Sequence, residues 1–522
     1  MNTTTQPGAA PTGPAATSNA PAVKSVLRMG VFTLAMINVS AIVSLRGMPA
    51  ESTYGLSSVF YYIFAAVFFL VPVSLVAAEL TTGWPQKGGV YRWVGEAFGK
   101  KWGFLAIWLQ WIESTIWFPT VLTFAAVSLA FMGPGQRWDE ALAANKWYVL
   151  IVVLCVYWAA TLLNLRGMKT SAGVTKWGTI IGTIIPGAIL ILLGLGYWAG
   201  GNPILLDMSW DKLVPDMSNF NNLVLAASIF LFYAGMEMSA VHVKDVNNPG
   251  RNYPLAILIS AIITVLIFVL GTLAIGFIIP NSQINLVQSL LITYDSYFSF
   301  FGLGWMNWIL ALALAVGVLA QVTAWVGGPS KGLYQVGLAG NLPPVMQKRN
   351  KNNVQMGILL IQGGIVTLLS IMFVIMPSVQ SAYQIISQLT IILYLIMYML
   401  MFASGIYLRY REPNTPRTFR IPGGRTFGMW VVGGLGLLAS LAAFLVSFIP
   451  PNQITVGSST MYVLLLVVGT FIFAGIPFII HAMAKPSWKR PVDPEDAFEP
   501  FGWEKSNGSH SAATPSHSIS HE

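Results

Sequence analysis

Apolar residues gather in long blocks along this chain, and short polar breaks separate them. The blocks lie near 29–53, 56–80, 102–131, 147–165, 175–198, 221–242, 253–279, 303–328, 355–376, 381–407, 428–449 and 460–482. Crossing a hydrocarbon layer of about 30 Å takes roughly 20 residues of helix, and these blocks are of that size. Barrel strands would instead alternate apolar and polar positions over only about 10 residues. The pattern therefore predicts an all-α membrane protein of about twelve transmembrane helices, one per block.

Two blocks are interrupted at mid-depth. The first holds Gly47 and Pro49, which weaken helical hydrogen bonding, with the charge of Arg46 beside them. The sixth holds Gly235 and Glu237 in the same relation. Non-helical backbone at that depth survives only where protein or a water-filled cavity satisfies it. Each break alone reads as close helix packing. Two, each with an ionisable residue and each first in its half, point to the binding site of a transporter. Blocks 1–5 (29–198) and 6–10 (221–407) then form the two halves, and 428–482 adds helices 11 and 12.

Composition agrees. Hydrophobic residues make up 55% of the 522 and charged residues 9%, with a mean hydropathy of +0.66; a soluble domain carries about 25% charge. The net charge of +9 would suit nucleic acid if it were clustered on one surface, but it is spread over alternate loops. Of 28 Lys and Arg, only Arg137, Lys146 and Lys212 fall in the loops of the opposite side, and Arg46 lies inside a block. The positive-inside rule then puts both termini in the cytoplasm of a multi-pass protein of the cell (inner) membrane. The single cysteine, Cys155, excludes a disulfide framework and a thiolate cluster. No cofactor is expected.

Residues 1–23 are rich in Thr, Pro, Ala and Gly and are expected to be a disordered tail, leaving 24–485 as the transmembrane domain. The 486–522 tail, acidic and then rich in Ser and His, is expected to be disordered or weakly docked, with His510, His517 and His521 solvated.

Charges inside the blocks are few: Arg46, Glu51, Glu79, Glu113 and Glu237. A midplane charge costs about 2.5–3.5 kcal/mol on insertion scales, so such residues pair or work. Glu237 is a gating candidate, whereas Glu79 and His242 read as structural partners near the cytoplasmic face. Arg46 and Glu113 lie at comparable depth and are expected to pair beside the substrate. Trp117 shares a helical face with Glu113 and is a candidate to stack on substrate, against the ordinary reading of packing. Tyr233 and Tyr394 are candidates of the same kind.

Three motifs carry a family resemblance: PQKGGVY (85–91), GMEMSAVHVKDVNNPGRNYPLA (235–256) and AWVGGPSKGLY (324–334), joined by RIPGG (420–424). The chain, from about Lys24 to Lys485, resembles the amino acid–polyamine–organocation (APC) superfamily, nearest to its glutamate/γ-aminobutyrate antiporter branch. The resemblance implies a LeuT-like five-plus-five inverted repeat and alternating access. It also implies that amides of the first break, at Ile42, Val43 and Ser44, hold a substrate carboxylate. Carbonyls of Phe230, Leu231, Phe232 and Tyr233, before Gly235, would hold its amine. Acid-resistance members of the branch carry glutamine where this chain has Glu113, and glutamate where it has Gln321. That makes Gln321 a second position to weigh in gating or coupling. Sodium-driven relatives use neighbouring hydroxyls late in helix 8, where this chain offers only Thr323.

The reading is a secondary active transporter of an amino acid or amine, of the antiporter type. A proton-coupled amino acid or amine uptake permease is the alternative. A membrane-embedded enzyme would need a nucleophile, base or metal cluster in the bilayer. The only histidines near the membrane are His242 and His481, both near its cytoplasmic edge.

Overall fold

The computed structural model describes residues 30–133, 135–215, 227–237, 246–451, 458–491 and 497–505. Every regular element in them is a helix. The 1–23 tail, His242 and the three C-terminal histidines lie outside the described residues, as does half of the 221–242 block.

Ten helices are long and apolar enough to cross a membrane. They are α3 (Ser57–Gly83), α5 (Lys100–Ala130), α7 (Lys146–Leu165), α8 (Gly173–Ala199), α10 (Pro249–Ile278), α12 (Asn307–Leu338), α13 (Met356–Ile375), α14 (Val379–Arg411), α15 (Phe427–Val446) and α16 (Ser459–Ala482). The first block divides into α1 (Val31–Ile42) and α2 (Met48–Ser52), and among its described residues the sixth contributes α9 (Ser228–Tyr233). Shorter helices α4 (Val90–Phe98), α6 (Gln136–Ala143) and α11 (Ser289–Phe300) lie between spans.

The first break follows from backbone chemistry. Val43 and Ser44 turn extended after α1, a 3-10 turn covers Leu45–Gly47, and α2 begins with Pro49 in its first turn. Proline is welcome there because the amide it lacks would have no helical partner. Pro49 thus starts the second half-helix. In α9 the chain turns extended at Ala234, and Gly235 follows with φ of 108°, open to glycine at little cost.

Prolines inside the long spans are absorbed locally. Pro72 and Pro186 each follow a π turn, Ala66–Leu70 and Ile180–Ile184, whose wider winding accommodates the lost hydrogen bond. The sequence pattern ends a span at 328, before Pro329, but α12 runs through it to Leu338. Surrounding helices can re-satisfy the backbone a proline frees.

Helix α5 is the centre of the bundle: its most apolar window is 94% buried, against 11% for α16. Helices α12 and α14 flank it. At the end where α5 begins, Glu79 on α3 receives Arg409 Nε at 2.5 Å, Arg409 Nη2 at 2.6 Å, Arg417 Nη1 at 3.0 Å and the Ile421 amide at 2.9 Å. Arg409 also donates to the carbonyls of Ile421, Gly424 and Arg425. This buried cluster ties α3 and α14 to the 417–425 loop.

Of the two expectations for the tail, disorder or docking, residues 497–505 show docking. Residues 497–505 dock on α4: the Arg92 guanidinium lies 4.5 Å from the Phe498 ring centre and 4.9 Å from that of Phe501. Glu96 accepts the Gly502 amide at 2.9 Å, and Trp503 Nε1 donates to Gly95 O at 3.0 Å. The acidic and Ser-rich composition hid three aromatic side chains that bury apolar surface at one place.

Candidate functional site

The two breaks cross at the bundle centre. A Cβ placed on Gly47 would lie 1.9 Å from the Phe232 ring, so only glycine lets the first half-helix pair approach α9 this closely. Beside the crossing is a cavity of about 30 Å³, lined by Ile42, Ser44, Arg46, Glu113, Trp117, Leu231, Phe232, Ala234, Gln321, Trp325 and Tyr394. One water needs about 10–15 Å³ of such space, so the cavity admits roughly two. Its walls are side chains of both breaks and of α5, α12 and α14.

Among the described residues, Arg46 is the one basic side chain in its lining. Its Nη1 donates to Tyr383 Oη at 2.9 Å and, more weakly, to Thr120 Oγ1 at 3.5 Å, while Nε has no partner. The guanidinium lies 5.3 Å from the Trp117 ring centre and 6.0 Å from that of Phe232. A guanidinium over aromatic faces keeps part of its solvation, so the charge is held without a carboxylate.

The expected Arg46–Glu113 pair is not formed. Both line one cavity, yet Arg46 turns to α14 and α5 hydroxyls, and Glu113 Oε1 is buried with no partner. Sequence depth could place the two at one level; it could not show that Tyr383, 337 residues from Arg46, competes for the guanidinium.

Glu237 is held by three donors: Tyr394 Oη at 2.6 Å, Tyr398 Oη at 2.7 Å and Gln110 Nε2 at 3.0 Å. Tyr398 Oη in turn accepts the Gly235 amide at 2.8 Å. The carboxylate therefore bolts the break after α9 to α5 and α14. Gln110 lies one turn before Glu113, so the two face the same side of α5.

The remaining predicted positions divide. Ile42 closes α1, and the Val43 amide donates to Val39 O at 2.8 Å, so neither amide is open to a ligand. Ser44 precedes the 3-10 turn, and first-turn amides lack helical partners by geometry. Leu231, Phe232, Gln321, Trp117 and Tyr394 line the cavity. Phe230 does not; it packs on Phe69, ring centres 4.8 Å apart. Tyr233 is buried and donates to Tyr62 O at 3.1 Å. The Thr323 hydroxyl is spent on Leu319 O at 2.6 Å.

Four participants escaped the sequence reading: Thr120, Trp325, Tyr383 and Tyr398. Trp325 packs tilted on Trp117, centres 5.6 Å apart, and covers Gly235. Helical spacing could have found two of them, since Trp325 follows Gln321 by four residues and Tyr398 follows Tyr394 by four. Among the described residues, no group of three or more His, Cys, Asp or Glu could hold a metal.

Comparison with known proteins follows the same helices. The chain matches the amino acid permease family over residues 29–473. An uncharacterized transporter of Legionella pneumophila is 40% identical over 451 residues, 86% of this chain and 96% of its own length. A glutamate/gamma-aminobutyrate antiporter of Lactococcus lactis is 32% identical over 461 residues, 87% and 90% of the two chains. A probable agmatine/putrescine antiporter of the same species is 25% identical over 373 residues, 71% and 77%. The family match includes every helix around the cavity, and so this chain belongs to the amino acid permease family and is a multi-pass membrane transporter, not an enzyme.

Proposed function

We propose that the chain is an antiporter that exchanges an amino acid for an amine, of the glutamate/γ-aminobutyrate type, by alternating access. The carrying observation is the cavity at the crossing of two broken helices, with Arg46 in its wall on two hydroxyl partners. Hydroxyls are weaker partners than a carboxylate. A substrate carboxylate can therefore take Arg46 from Tyr383 and Thr120, with the first-turn amides at Ser44 beside it. The amine goes to the carbonyl end of α9 at Leu231 and Phe232, with Trp117 and Trp325 as aromatic walls. The similarity to an antiporter with glutamate and γ-aminobutyrate in its name supports the substrate class.

Glu237 acts as the gate element. Opening must release α9 from α14, and the Tyr394 and Tyr398 hydrogen bonds are what hold it. Halves 29–198 and 221–407 form the inverted repeats, each opening with its broken helix. The sparsity of Lys and Arg in alternate loops supports cytoplasmic termini and an inner-membrane location.

A second reading, proton-coupled uptake, is favoured by one observation: the unpartnered Glu113 Oε1 at the cavity wall. Proteoliposomes decide between them. An obligate exchanger releases preloaded label only when amino acid or amine is present outside, without sodium. Rapid efflux into empty buffer, driven by a proton gradient, would give the second reading instead.

A further inference from the structure

A second cavity, of about 180 Å³, lies at the other end of α5 from the docked tail. It is bounded by Phe131 after α5, Asp139 on α6, Tyr294 and Asp295 on α11, and Asn307 and Trp308 at the start of α12. The transport site does not share a residue with it.

Asp139, Asp295 and Asn307 bring side-chain oxygens to it. Asp139 is 5% exposed, and its Oδ1 has no partner. Asn307 gives its Nδ2 to Asp295 Oδ1, which leaves its own Oδ1 buried without a partner. Neither aspartate belongs to an ion pair among the described residues. The cations nearest in sequence turn elsewhere: Arg137 is exposed, and Lys146 Nζ donates to Met376 O at 2.5 Å. Burial, above all, pushes the Asp139 carboxyl up, against the Gly135 amide that lowers it, and the charges of Asp295 and Glu140 add to the rise. Burial raises Asp295 too, opposed by the Asn307 amide, with Glu140 adding. Such a pocket lacks one thing: positive charge.

We propose that this cavity is a second binding site, for the ammonium group of a small organic amine held between Asp139 and Asp295. An ammonium supplies three donors, and the site offers the free oxygens of Asp139 and Asn307 with the Asp295 carboxylate. Tyr294, Trp308 and Phe131 provide the apolar and cation–π walls that suit an alkyl ammonium. A metal ion prefers a denser oxygen shell of six or more ligands. The amine class rests on the transport reading above, with the cavity serving the face opposite the tail.

The test is equilibrium binding of radiolabelled putrescine to the full-length protein in nanodiscs at neutral pH. Wild type should bind one equivalent more than Asp139→Asn/Asp295→Asn, whatever the transport site contributes. Asp295→Asn alone, at a partly exposed position, should bind that equivalent about tenfold or more weakly and answers the question if the double variant fails to fold. Equal stoichiometry and affinity in wild type and variants overturns the proposal, as does a wild type that binds none. One-to-one binding of calcium that displaces putrescine overturns the ammonium assignment. Loss of one equivalent in a protein that shows no exchange leaves this site standing and removes the transport reading.

Discussion

Tyr383 holds Arg46 across the central cavity, Oη to Nη1 at 2.9 Å, and so joins the break in the first helix to α14. This bond and a substrate carboxylate compete for one guanidinium. Arg46→Ala should raise KM for carboxylate-bearing substrates about tenfold or more, the scale of a lost charge-assisted hydrogen bond. Amines without a carboxylate should change little. Counterflow against paired substrates, such as glutamate and putrescine, measures the difference; an unchanged substrate ranking would remove Arg46 from the site.

Glu113→Gln removes a charge whose Oε1 has no partner and keeps the side-chain shape. Folded yield should stay near wild type, and acidic substrates should be tolerated better because a repelling carboxylate is gone. If the uptake reading were right, the same variant would lose proton-driven accumulation. Comparing glutamate exchange with acidification of the vesicle lumen separates the two.

Tyr398→Phe breaks two links at once, leaving the Gly235 amide and Glu237 Oε2 each short of a partner. Unsatisfied buried polar groups cost about 1–3 kcal/mol each. The closed state should weaken, seen as a lower melting temperature without substrate and a smaller deficit when substrate saturates the site. A variant as stable as wild type would mean that this clamp carries no load.

The blocks of apolar residues showed where ten spans run, because lipid demands continuous apolar length and that demand is written locally. The breaks were legible for the same reason: Gly47, Pro49 and Gly235 mark local backbone needs. Side-chain partnerships were not. Arg46 meets Tyr383 and Glu79 meets Arg409 across 337 and 330 residues, and nothing local distinguishes these from other pairs at equal depth. Composition left the tail between disorder and docking, and over 497–505 three aromatic residues find a seat at Gly95 and Arg92 of α4.

The Glu79–Arg409 cluster predicts a stability effect apart from transport. Arg409→Ala takes the two shortest bonds from a carboxylate that is 1% exposed and leaves it only Arg417 and the Ile421 amide. Removing one partner of a buried pair costs about 3–5 kcal/mol, so folded yield should fall sharply. Arg409→Met and Arg417→Met with Glu79→Gln should recover most of it, because neither guanidinium nor the carboxylate of the cluster is then left alone. Size-exclusion profiles in detergent read both.

Docking of the tail should depend on pH with a defined sign. Burial is the main cause that raises the Glu96 carboxyl above its ordinary range; the Gly502 amide and Arg92 oppose it, and Glu412 adds to it. A carboxyl raised in the docked state binds its proton more tightly there than in a released, hydrated state. Linkage then makes docking strongest at and below the ordinary carboxylate range, and weaker as pH rises through the raised value. Glu96→Gln should remove that dependence, because an amide does not titrate yet can still accept the Gly502 amide. Protease cleavage between residues 497 and 505, timed at pH 4.5 and 7.5, should be slower in acid for wild type and equal at the two values for the variant after correction for protease activity. Faster cleavage of wild type in acid would reverse the sign and show that the Arg92 pairing, not burial, governs the seat.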